Sequence, residues 1–326
     1  EKHKDVNGVL TPTISAEANE LVGIAQAVGQ TGKGVLQGIS DFYDFDSEFA
    51  LFKRMAQESG RLISLTVEQQ DARPQWWTQL LDGITQAQSE GIAMYGQVPP
   101  RATGVLLGLT ATLNPFLFYP PYRQIAGLPL AEKVAIMRTD EFRAAMLSAK
   151  PVDRDAPLVE EILYGFNKLY QLGDPANYEP DPKDAFGPRA ARAGVRVEEM
   201  IYDALLEKDG KALLYHPLFN YEPGNLDHVK KMLEHPYTLH GLGDAGAHCG
   251  ALCDASFPTT LIQHWGRDRV RGDKIALQKL IAMQTRATAS QVGLNDRGLL
   301  KPGYRADVNV IDFERLTLHE PEVVYD

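Results

Sequence analysis

The chain has 326 residues, 44% of them hydrophobic and 23% charged, and a formal net charge of −10. This is the composition of an ordinary globular protein with a large core. The acidic balance excludes the basic face expected of a nucleic-acid binder, and no apolar run reaches the length of a membrane span. Two cysteines, Cys249 and Cys253, are too few for a disulfide framework and point to a reducing, cytoplasmic setting. The opening EKHKDVNGVLTPT lacks the apolar stretch of a signal peptide and does not begin with Met, so the sequence reads as a processed or partial chain.

In chain order, residues 15–30 carry Leu21, Ile24, Ala25 and Val28 at helical spacing behind Ser15, and predict a capped amphipathic helix. GVLQGIS (34–40) predicts a short buried strand. The same cycle then repeats: helix 47–58, strand 61–69, helix 75–90 and strand 91–98, with Gly60 and Gly91 as stops. Helices alternating with short apolar strands predict βαβ units and a parallel sheet. The strand ends carry polar residues: Gln37 and Ser40, Glu68 and Gln69, and Gln97. In α/β folds such C-terminal ends line the active site. Residues 99–128 and 150–188 interrupt the rhythm with proline and aromatic residues, YEPDP at 178–182 among them, and are expected as irregular insertions around a helix at 129–148. The cycle resumes with helix 196–208, strand 211–217 ending at His216, and helix 224–235. Two helices, 258–269 and 273–294, lead to an alternating strand, ADVNVID, at 306–312.

One stretch organises these elements. LHGLGDAGAHCGALCD (239–254) is a strand running into a loop of small residues that holds Asp244, His248 and Asp254. A carboxylate at a strand's C-terminal end, with an imidazole four residues on, suits metal-site or acid–base chemistry. An Asp that caps the next helix and an ordinary loop histidine are the plain alternative.

GLGDAGAH, then RDR, then QTRATASQVGLNDRGLLKPGYRADVNVID, resembles the C-terminal half of metal-dependent amidohydrolases, in the branch of the N-acyl-D-amino-acid deacylases (D-aminoacylases). The resemblance implies an α/β fold, with residues 1–296 forming the later strands of a (β/α)8 barrel that is partial in this chain and residues 297–326 contributing to a small β-sandwich. It implies one or two zinc-type ions and hydrolysis of a C–N bond in an N-acyl amino acid. It matches Asp244 to the family aspartate that contacts the metal and serves as general base.

The departures are equally specific. No His-x-His pair occurs in the sequence, and the strands at 34–40 and 61–69, nearest to the two central strands that each end in a histidine in the family, end without one. The resemblance therefore implies that an N-terminal segment, with most metal ligands, lies outside this chain or on another polypeptide. Of the residues here, His216 joins Asp244 as a candidate metal ligand. His248, Arg267 and Tyr178 are candidate substrate contacts, Arg267 because its guanidinium can grip a carboxylate bidentately, although Asp268 beside it offers an ion pair instead. His240 is expected to line the site or the core, and His3 to reach the site only by way of the missing segment. His228, His235 and His319 are expected at the surface. A small-molecule substrate is the expected partner, and a homo-oligomer or a completing segment stays open. A relative that binds a ligand without catalysis, and a hydrolase of a cyclic amide or ester, are the alternatives.

Overall fold

The computed structural model describes residues 5, 7, 9–152, 157–243, 246 and 248–324. The chain is mixed α/β and divides into two compact units. The first comprises residues 1–100, 228–242 and 274–311, the second 101–227, 243–273 and 312–326. Among the described residues there are seven strands: β1 (Leu36–Gly38), β2 (Ile63–Thr66), β3 (Met94–Val98), β4 (Thr103–Leu107), β5 (Tyr170–Gln171), β6 (Leu214–Phe219) and β7 (Thr238–His240).

The first unit holds a four-stranded sheet in the order β1-β2-β3-β7, every pair parallel. The predicted βα cycle is present: helix Phe45–Ser59 follows β1 and helix Trp76–Ser89 follows β2. Gly60 ends the first of these helices in the left-handed conformation, at φ 62°, as a helix-stopping glycine should. Leu80 and Ile84, on the sequence-predicted apolar face of the second helix, are fully buried with Ile63, Leu65, Val67, Met94 and Val98 of the sheet. Each such side chain contributes roughly 1.5–3 kcal/mol by leaving water. At Gly96 a Cβ would lie 2.6 Å from Val67 Cγ2 and 3.1 Å from Thr238 Cγ2, so glycine is what lets these parallel strands approach.

The second unit holds a three-stranded antiparallel sheet, β4-β6-β5. Its core gathers Leu107, Leu163, Leu169, Phe186, Ile201, Tyr202, Leu205 and Leu214. The irregular stretch expected at 150–188 contains helix Pro157–Tyr164, strand β5 and the start of helix Phe186–Ala193.

Several expectations are corrected. The strands form one parallel and one antiparallel sheet among the described residues, and this pairing does not confirm the partial (β/α)8 barrel. The helix expected over 129–148 is two helices, Leu130–Met137 and Asp140–Ser148, because Thr139 Oγ1 accepts from Phe142 N–H (3.3 Å) and starts a new one. Both helices expected beyond 257 change pitch, to π turns at His264–Asp268 and Met283–Ala287. ADVNVID forms no strand. Its alternation is real, but no described segment pairs with it, and Val308 and Val310 are 62% and 97% exposed. His216 is the third residue of β6, inside an antiparallel ladder opposite Val105, rather than at the end of a parallel strand.

Candidate functional site

In the first unit the polar residues of the parallel strands share one face. Gln37 Nε2 donates to Gln97 Oε1 (2.9 Å), and Gln97 Nε2 donates to Ser64 Oγ (3.0 Å), which links three strands side by side. β7 extends this sheet: Leu239 pairs with Gln97 and His240 with Val98, and Gly241 N–H bonds Val98 O at 3.1 Å. His240 is mostly buried. Burial holds its imidazole down to about 4, so it is neutral at pH 7. Leu242 then adopts φ 66°, a strained conformation for a residue with a Cβ, and turns the chain out of the strand.

The second unit contains a cavity of about 280 Å³, bounded by Arg101, Tyr178, Glu179, His264 and Arg271 among others. Glu179 is 3% exposed and its carboxylate is fully engaged. It accepts from Arg269 Nε (3.1 Å) and Nη2 (3.0 Å), from Leu226 N–H (2.9 Å), and shares a hydrogen bond with His264 Nε2 (2.8 Å). Burial alone would raise this carboxyl, but the bonds from His264 and Arg269 outweigh it and hold it down at about 2. Arg269 also reaches Asp227 Oδ1 at 2.7 Å and Asp273 O at 2.8 Å. Arg101 is only 2% exposed. Its guanidinium carbon lies 3.4 Å from the ring centre of Tyr178 and 4.9 Å from that of Phe257, and Nη2 donates to Cys253 O at 2.9 Å. Burial raises the Tyr178 phenol, against the pull of the Arg101 charge.

The sequence-predicted residues are distributed as follows. Asp244 and His3 lie outside the described residues. Tyr178 is buried in the wall of the cavity, edge-on to Tyr215 at 5.2 Å. His248 is exposed at φ 51°, its carbonyl accepting from Ala251 N–H (2.7 Å) and Leu252 N–H (2.9 Å). Arg267 grips Asp268 with Nε (2.5 Å) and Nη2 (2.9 Å), and also bonds the carbonyls of Phe313 and Leu316. His216 is 2% exposed, its imidazole is held down to about 4 by burial, and its Nδ1 has no hydrogen-bond partner among the described residues. A Cβ on Gly165 would stand 2.6 Å from His216 Cε1, so the ring is closely covered. His228, expected at the surface, is buried at 8% exposure beside Trp77.

Residues the sequence reading passed over are His264, Arg101 and Arg271. His264 sits in the π turn, whose wider pitch no local pattern announces. Arg101 sits in PPRATG, where flanking prolines read as loop and nothing marks the charge as buried.

A divalent ion is implied by the resemblance, so the donor set needs testing against it. Among the described residues no three His, Cys, Asp or Glu side chains converge as a metal site requires. His216 is enclosed and Cys249 is exposed, so the described residues do not by themselves fit a metal centre.

Solved structures of a D-aminoacylase are similar to this chain. One, described for the role of its binuclear metal centre, shares 15% identity at a TM-score of 0.49, covering 91% of this chain and 50% of its own. Another, described as defining a novel subset of amidohydrolases, shares 15% identity at a TM-score of 0.48 with the same coverage. The chain thus spans about half the length of these structures. No curated protein matches it. The model of the amidohydrolase family matches residues 1–326, and the chain belongs to that family.

Proposed function

We propose that this chain belongs to a hydrolase that cleaves the amide bond of an N-acyl amino acid, as D-aminoacylases do, with Asp244 as the general base. The supporting observation is the course of β7. It runs parallel to β3 and gives way at Gly241–Gly243 directly before Asp244. Asp244 follows this strand end in the sequence, and in α/β folds the C-terminal ends of parallel strands present the reacting groups.

In this reading Asp244 takes a proton from the attacking water as its oxygen bonds to the amide carbonyl carbon. It returns the proton to the leaving nitrogen as the C–N bond breaks. Tyr178 and His248 are proposed as substrate contacts. Arg267 reaches a substrate only by giving up Asp268 or a backbone carbonyl. A zinc-type ion belongs to the proposal as a family trait, with Asp244 as its ligand in this chain; His216 would have to leave its covered position to join. A small-molecule substrate and a reducing, cytoplasmic setting complete the reading.

The test is Asp244→Asn assayed on N-acetyl-D- and N-acetyl-L-amino acids. Loss of about 10²–10⁴ in kcat with an unchanged circular-dichroism spectrum is expected for removal of a general base. An unchanged rate would overturn the assignment.

A further inference from the structure

The second unit's cavity is lined by a buried guanidinium that forms no salt bridge with a described residue. Arg101 is one of the largest fully enclosed side chains of the protein, at 2% exposure, and it lines the cavity. Its described bonds go to neutral groups, Cys253 O at 2.9 Å, Thr260 Oγ1 at 3.4 Å and the Tyr178 phenol, while its Nε is buried with no partner among the described residues. A guanidinium offers five N–H donors, so the fork is under-used. Burying a charge is unfavourable unless it is paired, and stacking on Tyr178 and Phe257 offsets only part of that.

The rest of the wall does not neutralise it. Glu179 is already matched by Arg269 and His264, and Asp268 by Arg267. Arg271, also in the wall, donates to the carbonyls of Glu179 (3.3 Å) and Pro180 (2.8 Å) and to Tyr221 Oη (3.0 Å), again neutral acceptors. Two guanidiniums thus face one pocket; the charge of Arg271 is also felt by Asp181, and the buried carboxylate of Asp254 follows Cys253 beside Arg101, but no described carboxylate is bonded to either fork. About 280 Å³ is near the lower end of small-molecule sites, too small for a peptide or nucleic acid.

We propose that this cavity is a binding site for a small carboxylate, whose oxygens are received by the guanidinium of Arg101, with Arg271 adding charge. Where that carboxylate belongs to the acyl amino acid, the inference rests on the hydrolase reading. Where it belongs to a separate effector, it stands without it.

The experiment is calorimetric titration of the protein carrying Asp244→Asn, which keeps hydrolysis out of the measurement, with N-acetyl-alanine and its neutral isostere N-acetyl-alaninamide. The carboxylate is expected to bind at least tenfold more tightly than the amide. Arg101→Lys, which keeps the charge and loses the fork, should weaken the carboxylate tenfold or more and leave the amide unchanged. Should Arg101 variants fail to fold, Arg271→Ala at the half-buried edge of the wall carries the test, with a three- to tenfold loss for the carboxylate alone. Equal affinity for the two ligands, no heat up to 10 times the concentration at which ordinary substrates saturate, on the order of 10 mM, or indifference to both variants would overturn the proposal. The two sources separate in the otherwise unaltered enzyme. If Arg271→Ala raises KM with kcat unchanged, the carboxylate is the substrate's. If it weakens carboxylate binding in the calorimeter with KM unchanged, the ligand is an effector. Failure of the hydrolase reading shows as no turnover by the unaltered protein, with the calorimetric contrast intact.

Discussion

Glu179 and Arg269 form a buried two-point pair: Nε meets Oε2 at 3.1 Å and Nη2 meets Oε1 at 3.0 Å, with the residues 3% and 1% exposed. They come from a turn after Tyr178 and from the end of a π turn, so the pair joins two otherwise separate stretches of the second unit. Because His264 and the Leu226 amide take up the remaining lone pairs, the carboxylate is satisfied in the way that makes a buried ion pair tolerable.

Acid should therefore act on Glu179 in a defined window. Its folded-state value is held down at about 2 from an ordinary 4.5. A depressed carboxyl contributes stability that is complete above the unfolded value and is lost as pH falls from 4.5 through 2; the full contribution is about 3 kcal/mol. Urea midpoints measured between pH 6 and pH 3 should fall, and Glu179→Gln should flatten that segment while lowering stability at pH 7 by about 3–5 kcal/mol, since Arg269 loses its main counter-charge. A profile identical in the variant would refute the assignment.

His216 predicts a different window. Burial lowers its imidazole to about 4 from 6.5. Neutral histidine is thus preferred in the fold, and stability is present above 6.5 and lost as pH falls toward 4. At pH 5 the loss relative to pH 8 is roughly 2 kcal/mol. Denaturation at the two pH values should show that difference, and His216→Gln should remove it. His240, lowered to about 4 by the same cause, adds a similar slope in the first unit, so the single variant removes only part of the total.

How much of this was readable beforehand depends on range. The first three helix–strand steps were legible because their apolar spacing is local and their stops are glycines: Leu80 and Ile84 are where the pattern put them, and Gly60 adopts the conformation that ends a helix. Thr139 split a predicted helix because a single hydroxyl outcompeted a continuing apolar pattern. The antiparallel pairing of β6 was not legible because its partner, Thr103–Leu107, follows a stretch that proline marks as loop. Arg101 and His264 were invisible for the same reason: burial of a charged or polar side chain is decided by contacts far along the chain, such as Thr260 for Arg101 and Glu179 for His264.

The loop after β7 gives a steric prediction. Gly250 lies against Thr112: a Cβ there would come within 2.1 Å of Thr112 Oγ1, while Thr112 N–H bonds Gly250 O at 2.8 Å. Gly250→Ala should cost about 1–3 kcal/mol by overpacking. Thr112→Ala removes the offending hydroxyl, so the double variant should recover part of that loss. The coupling read from a double-mutant cycle of thermal or chemical denaturation should be at least 0.5 kcal/mol, and additive effects would place the clash elsewhere.

Arg267 offers the last separation, between holding the fold and holding a substrate. It binds Asp268 through Nε and Nη2, and the carbonyls of Phe313 and Leu316 through Nη1 and Nη2. Phe313 and Leu316 belong to the returning segment of the second unit, which carries no helix or strand of its own. Without regular ladders, such a segment depends on side-chain bonds to its carbonyls. Arg267→Ala should therefore speed amide hydrogen exchange across residues 313–318 by tenfold or more, and Lys at this position should restore only part, since it cannot serve Asp268 and two carbonyls with one fork. KM for an N-acetyl amino acid should change less than threefold. A tenfold rise in KM with exchange unaltered would show instead that Arg267 leaves Asp268 to grip the substrate.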